Sequence, residues 1–333
     1  MYNYKARDLY SILSCLIDDK EPILYQCRIL DELQTIILDD AIENFRDYIF
    51  RRGLPDKIYY YSFGNLTPLE ACCIFGSVNI FYFLLNNSNL SYDELITTKC
   101  LRNAIMGRNI DIINECLRYV DFDKECIETI IQAHFHDLFE FVISRARLNF
   151  KFNPNDYIFS IFHFLNLNAV FLLHKYGYDI FPWCAKFPQT IEIINDTNFK
   201  DFHIDILLYA SQSNDLEFFK YIFYNYPHHP KSISETLNNA FEKNIWDVVD
   251  FLISEDIDLN APDFKGHLPI VAAAASSKKN YVIKLVENGA NPNLHNQDFW
   301  ENVTTYLDYH KDADILKRLY ELGLTIVTYP FDF

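Results

Sequence analysis

Few residues in this 333-residue chain have the type and spacing that chemistry requires. His228 and His229 stand side by side between Pro227 and Pro230. Adjacent histidines rarely converge on one ion, and no Cys or carboxylate sits at ligand spacing, so the pair reads as a loop. His134 and His136 are two residues apart and do not share a helical face. His163 and His174 fall on separate predicted helices and read as structural. The eight cysteines, at 15, 27, 72, 73, 100, 116, 126 and 184, include one adjacent pair and no C-x-x-C. Cys72, Cys100 and Cys116 lie inside apolar helical patterns, as small buried hydrophobes of a reducing compartment do. Arg145, Arg147 and Lys151 form the densest basic cluster; at the end of a helix they meet its last carbonyls. Arg51 and Arg52, just before Gly53, read the same way. There is no nucleophile elbow, phosphate loop, dinucleotide fingerprint or H-E-x-x-H. The expectation is a chain without catalysis, cofactor or metal.

The elements around these residues are more informative. Residues 260–293 read NAPDFKGHLPIVAAAASSKKNYVIKLVENGANPN. Asp263 and Gly266 suit a tight turn. Pro269 stands where a helix begins and a missing N–H costs nothing. Ala272 to Ala275 favour helix and close packing. Ser276 and Ser277 break it, a second apolar pattern runs through Val282, Ile283, Leu285 and Val286, and Gly289 closes that one as a left-handed cap. A second such stretch is SFGNLTPLEACCIFGSVNIFYFLLNN, residues 62–87. Thr67 and Glu70 are spaced as a capping box, as are Ser91 and Glu94.

One unit of this kind cannot bury its own apolar face, so neighbours are required. Their marker is an apolar pair that opens a second helix: Ile80-Phe81, Ile112-Ile113, Leu138-Phe139, Ala169-Val170, Ile193-Ile194, Phe218-Phe219, Val248-Val249, Val282-Ile283 and Ile315-Leu316. The pairs recur at steps of 24 to 34 residues. Asn79, Asp111, Asp137, Asn168, Glu192, Glu217, Asp247 or Asp314 precedes a pair directly, which points to a helix N-terminus. A small residue lies eight or nine positions earlier: Ala71, Ala104, Ser160, Ala185, Ala210, Ala240 or Ala273, with Thr129 and Tyr306 as departures.

Turn, helix, short loop, helix and a G-A-N-P-N ending resemble an ankyrin repeat, with Thr67-Pro68-Leu69 matching the family's T-P-L and Leu268-Pro269-Ile270 a form of it without Thr or His. The resemblance implies an all-α, ankyrin-type helical repeat solenoid of about nine helix-pair repeats. Residues 1–60 are expected as an N-terminal helical cap, with helices near 5–18, 22–37 and 40–52. The repeat stack is expected over 61–323, with a C-terminal tail at 324–333. The third repeat, about 121–147, has room only for a plain turn. Residues 178–203, with Pro182 and Pro188, are irregular, as either a truncated repeat or an insertion. Trp246 is expected to be buried ahead of a second helix.

Composition bounds the partners. The formal charge is −17 and the pI about 4.9, which disfavours nucleic acid and anionic membranes and permits a basic protein. With 29 Phe and 23 Tyr, aromatics are expected in the seams between helices. No signal segment or run of about 20 apolar residues is visible, so a cytoplasmic or nuclear monomer is expected. The resemblance implies a scaffold or adaptor that offers a concave finger and inner-helix face to a protein partner. A structural tether between membrane proteins and the cytoskeleton is the alternative.

Three turn segments carry aromatics that a repeat core does not require. They are Tyr61 and Phe63 with Asn65; Phe264 with Asp263, Lys265 and His267; and Phe299 and Trp300 with Asn296 and Asp298. Accessible turn aromatics supply large contact area at low entropy cost and are common binding anchors. The last two segments are consecutive, so Phe264 and Trp300 are expected on one side, about a repeat apart.

Overall fold

The computed structural model describes residues 31–60, 63–145, 151–196, 206–296, 301–307 and 311–325. The chain divides into two compact units, Met1–Lys151 and Phe152–Phe333. Unit 1 contains helices α1 (Glu32–Leu38) and α2 (Ile42–Arg52), and a hairpin of β1 (Ile58–Tyr60) and β2 (Gly64–Leu66). It continues with α3 (Pro68–Phe75), α4 (Val78–Asn86), α5 (Tyr92–Leu95), α6 (Thr98–Gly107), α7 (Ile110–Cys116), α8 (Lys124–Gln132) and α9 (His136–Arg145). Unit 2 contains α10 (Ile158–His163), α11 (Leu167–Lys175), α12 (Ile191–Asp196), α13 (Ile206–Ser211), α14 (Leu216–Asn225) and α15 (Pro230–Glu242). It ends with α16 (Trp246–Ser254), α17 (Pro269–Ala275), α18 (Tyr281–Glu287), α19 (Val303–Tyr306) and α20 (Ala313–Glu321). Among the described residues each unit is all-α apart from the hairpin and an isolated bridge, and it is built of successive helix pairs.

The pairs share one turn. Between first and second helix the backbone passes through a single left-handed residue: Asp40, Gly76, Arg108, His134, Leu165, Asn214 or Asn244, at φ between 49° and 71°. The next N–H returns to the carbonyl five residues back, as Ser77 to Cys72 at 3.0 Å, Phe135 to Ile130 at 3.1 Å, Asn166 to Ile161 at 2.9 Å and Ile245 to Ala240 at 2.9 Å. This closes the first helix and spends its orphan carbonyls. The apolar pair of the second helix opens four residues after the turn, at Ile80, Ile112, Leu138, Ala169, Phe218 or Val248, so the turn sets the phase that the sequence displays. Asp40 turns α1 into α2 in the same way, with Ala41 N–H bonded to the Ile36 carbonyl at 3.1 Å. The pair α17 and α18 differs, joined by the longer Ser276–Asn280 connection.

Six of the small residues do what their spacing predicts: Ala71, Ala104, Ala185, Ala210, Ala240 and Ala273 are fully buried, whereas Ser160 is half-buried. The polar leaders stand at helix N-termini as expected. Asp111, Glu217 and Asp247 lie within the first turn of their helices, where charge meets the helix dipole. The side-chain caps stand earlier: Asn109, Asn166 and Asp215 accept the N–H groups of Ile112, Ala169 and Phe218 at 3.0, 3.1 and 2.9 Å.

First helices pack on the first helices of the adjoining pairs: α1 on α3, α3 on α6, α6 on α8, α13 on α15, α15 on α17 and α17 on α19. The α3–α6 contact is the most extensive of these. A methyl added at Gly107 would stand 2.8 Å from the Cys73 carbonyl oxygen, and closer still to that of Ile74. Side chains also stitch one pair to the next. The Asp40 carboxylate accepts the backbone N–H groups of Asn79 and Ile80 at 3.0 and 2.9 Å. Asn260 donates to the Gly289 carbonyl at 3.0 Å and accepts from the Asn291 N–H at 2.7 Å. Asn293 repeats this on Gly323 and Thr325, at 2.9 and 2.7 Å. Such bonds are worth about 0.5–1.5 kcal/mol each. Aromatics fill seams as expected: Phe45 meets Phe83 edge-on at 6.0 Å, and Phe223 meets Phe251 at 5.3 Å.

Other expectations meet the structure unevenly. Both capping boxes form, at Thr67–Glu70 and Ser91–Glu94. The helix expected over 22–37 begins at Glu32 instead, because Asp31 adopts an extended conformation and caps it through the Gln34 N–H; the helix expected at 5–18 lies outside the described residues. Trp246 is half-buried rather than buried: it is the first residue of α16, stacked on Tyr281 at 5.2 Å with the Lys278 ammonium 4.4 Å from its ring centre. Residues 183–190 form two 3-10 turns, Trp183–Lys186 and Pro188–Thr190, before α12, and Phe181-Pro182 is cis. The first turn packs on α13, while α12 packs mainly on the second turn. Among the described residues no helix is long and apolar enough to cross a membrane.

Candidate functional site

The finger that precedes α17 is built on Asp263. One carboxylate oxygen of Asp263 accepts the N–H groups of Lys265 and His267, at 2.8 and 2.9 Å. The other accepts from the Asn238 amide at 3.0 Å. The Asp263 N–H itself bonds to the His267 carbonyl at 2.9 Å. Asp263 is 4% exposed, so its charge is spent inside the turn, where a carboxylate must be hydrogen-bonded to be tolerated. Asn238 lies on α15, one repeat earlier, and also donates to the His267 carbonyl at 3.2 Å. On the far side, Asn296 is 3% exposed and accepts the Leu268 N–H at 2.9 Å. The finger is thus pinned from both neighbours.

On this base Phe264 and Lys265 project. Phe264 is 42% exposed; its ring leans on His229 at 5.7 Å, and the Lys231 ammonium sits 6.0 Å from its centre. Lys265 is exposed, and the His267 ring nitrogen stands 3.6 Å from the Asp263 carboxylate, with the side chain partly exposed. Beside the finger a groove of about 490 Å³ runs along the first helices α15, α17 and α19. Ala272 and Ala275 line it, with Glu235, Glu242, Glu301 and Lys265 around them. A second hollow of about 360 Å³, bordered by Trp246, lies at the turns before α14 and α16.

In unit 1 the first finger is the antiparallel β1–β2 hairpin, with Ile58 opposite Leu66 and Tyr60 opposite Gly64. Phe63 is 39% exposed at its tip and packs edge-on against Phe75 at 5.9 Å. Asn65 is exposed, paired through its backbone with Tyr59. Tyr61, Asp298, Phe299 and Trp300 lie outside the described residues. The structure therefore brings together Asp263, Phe264, Lys265, His267 and Asn296 of unit 2, while Phe63 and Asn65 belong to unit 1.

Sequence reasoning missed His229, Lys231 and Asn238, which support the finger from the preceding repeat. The one sequence signal was the PHHP loop. His229 caps α15 by accepting the Lys231 N–H at 3.1 Å. Burial holds His228 below the usual histidine value, with its Nε2 3.1 Å from the Ile222 carbonyl oxygen. Among the described residues no group of three His, Cys, Asp or Glu could hold a metal ion. On the first helices of unit 1, acids meet bases of the adjoining repeat: Lys99 pairs with Glu70 at 3.0 Å, and Arg102 pairs with Glu125.

Residues 92–173 match a family model described as a domain of unknown function (DUF3447), about a quarter of the chain. Among solved structures the chain is similar to the human ASB11 ankyrin repeat domain, at 11% identity and a TM-score of 0.25, over 90% of this chain and 100% of that one. A TM-score this low says nothing about how the repeats are arranged. No curated protein matches the chain.

Proposed function

We propose that the chain is a non-catalytic protein-interaction scaffold whose partner docks on the finger and first-helix face of unit 2. The observation that carries this reading is the contrast within five residues: Asp263 buried and fully bonded, Phe264 and Lys265 exposed on the backbone it fixes. A preformed tip of this kind loses little freedom on binding. Its aromatic supplies the desolvated anchor that interfaces concentrate their energy on. Glu235, Glu242 and Glu301 along the groove, with the chain's charge of −17, favour a basic partner through electrostatic steering.

The test is the double substitution Phe264→Ala with Lys265→Ala, measured against a partner recovered from the native cell. It weakens binding by about 1–3 kcal/mol, the usual range for anchor residues, and leaves the melting temperature nearly unchanged. Unchanged affinity together with melting of α17 to α20 would make these side chains structural and remove the docking site.

A further inference from the structure

The groove beside the finger is built from three first helices, and its walls differ from its floor. On α15, Glu235, Asn238 and Glu242 follow one another at helical spacing, which puts them in one row on one face of the helix. On α17, Ala272 and Ala275 also share a face. Glu301, just before α19, stands on the other side. Helix α15 packs on α17, and α17 on α19, so the alanines floor a trough with carboxylates along both walls. Their short side chains leave open the space of about 490 Å³ that longer ones would fill.

The trough is rich in acceptors. Among the described residues that line it, Lys265 is the lone lysine or arginine, against the carboxylates of Glu235, Glu242, Asp263 and Glu301. Asp263 is spent on its own turn, and Glu301 accepts from the Asn296 amide at 3.1 Å. Glu242 is exposed and meets no cation among the described residues. Asn238 is held by its amide nitrogen, which donates to the Asp263 carboxylate and the His267 carbonyl. Turning that amide over would set its oxygen against both acceptors, so the bonds fix which way Oδ1 points. Oδ1 is buried and has no donor among the described residues. A buried acceptor left without a donor costs stability, and this one stands in the row between two glutamates.

We propose, resting on the docking reading above, that this groove takes an extended, arginine-bearing segment of the partner. One guanidinium lies along the Glu235–Asn238–Glu242 row and a second near Glu301. Packed helices stand about 8–10 Å apart, so the way from α15 across α17 to α19 is about 16–20 Å. About six residues of extended chain span it, at about 3.3 Å each, with alternate side chains facing the groove. The guanidinium is planar and weakly hydrated and carries five N–H donors, so one group can serve both a glutamate and the neighbouring Asn238 oxygen. A lysine ammonium is a compact, strongly hydrated point charge and suits such a row less well. The methylenes of an arginine lie on the alanine floor while its head stays at the acidic wall.

The experiment titrates the whole chain, at physiological salt, into a fluorescent peptide of about eight residues in which arginine alternates with serine, so that its arginines share one side. The peptide is expected to bind, and its lysine counterpart of equal charge to bind about tenfold more weakly. Glu242→Lys is expected to weaken the arginine peptide about tenfold, while Glu128→Lys, the same charge change on α8 of unit 1, leaves it unaltered. Equal binding of both peptides, or equal loss from both substitutions, would mean that only net charge is read and would overturn the proposal. The two-peptide comparison needs no substitution, so it decides even if Glu242→Lys does not fold. Partner binding lost in the Phe264→Ala, Lys265→Ala chain, with no binding of the arginine peptide, overturns the arginine assignment and leaves the docking reading standing. Partner affinity unchanged by that double substitution removes the docking reading and this proposal with it.

Discussion

Leu165 occupies a left-handed turn at φ 50° with its side chain 68% exposed. An L-residue with a Cβ is disfavoured there by about 1–2 kcal/mol, and this leucine buries little in return. At the same position Asn214 and Asn244 use a residue that tolerates the conformation. Leu165→Asn is therefore expected to raise the stability of unit 2 by about 0.5–1 kcal/mol. The readout is the urea midpoint, at unchanged slope; a lower midpoint would mean that Leu165 makes contacts that outweigh its strain. The same scale shows what the sequence could tell of the candidate site. Phe264 and Lys265 project as their place beside Gly266 implies. Asp263 and Asn296 do not: they are polar, but their hydrogen bonds are spent on their own turn and the neighbouring repeat. A polar type in a turn is compatible with either role, and the difference is made by Asn238, 25 residues upstream, which no local pattern connects to the finger.

At the level of elements, the helix pairs were legible because three local rules agree. Pro, Thr or Asp starts a helix, a small residue sits at the helix contact, and a left-handed residue fixes the distance to the next apolar pair. Asp31 escaped notice because a continuous apolar stripe, Ile29 to Ile37, runs across the cap, and periodicity alone does not register a terminus. The contact of α3 with α6 supplies a case where two element-level rules oppose each other. Gly107 is helical, so alanine would add about 1 kcal/mol of propensity. Its methyl, however, would press on the carbonyls of Cys73 and Ile74, which are backbone and held by α3, and overpacking of this kind costs about 1–3 kcal/mol. Gly107→Ala is expected to lose stability on balance, seen as a lower denaturation midpoint of unit 1. A gain would show that the two helices can slide apart at little expense.

Within each unit, the strong packing contacts among the described elements join neighbours along the chain. Stability in such a chain is close to a sum of local and neighbour terms, so it need not be uniform along the sequence. The pairs α3–α4 and α17–α18 have complete first helices, buried alanines and bonded turns. Residues 183–196 have two 3-10 turns in place of a first helix, and their α12 packs mainly on the turn beside it. What orders that stretch is its buried Trp183, Cys184, Phe187 and Ile194, with the Thr190 hydroxyl donating to the Cys184 and Phe187 carbonyls at 2.9 and 2.8 Å. Hydroxyl bonds of this type hold a turn, but they do not carry the chain of amide bonds that a helix protects cooperatively. Amide hydrogen exchange is therefore expected to be at least about tenfold faster at 183–196 than at 68–86 or 269–287, as local opening free energies differ between cooperative units. Exchange is read by mass spectrometry on the intact chain under native conditions. Equal protection in all three segments would mean that each unit opens only as a whole, and that its irregular turns are as strongly held as its helices.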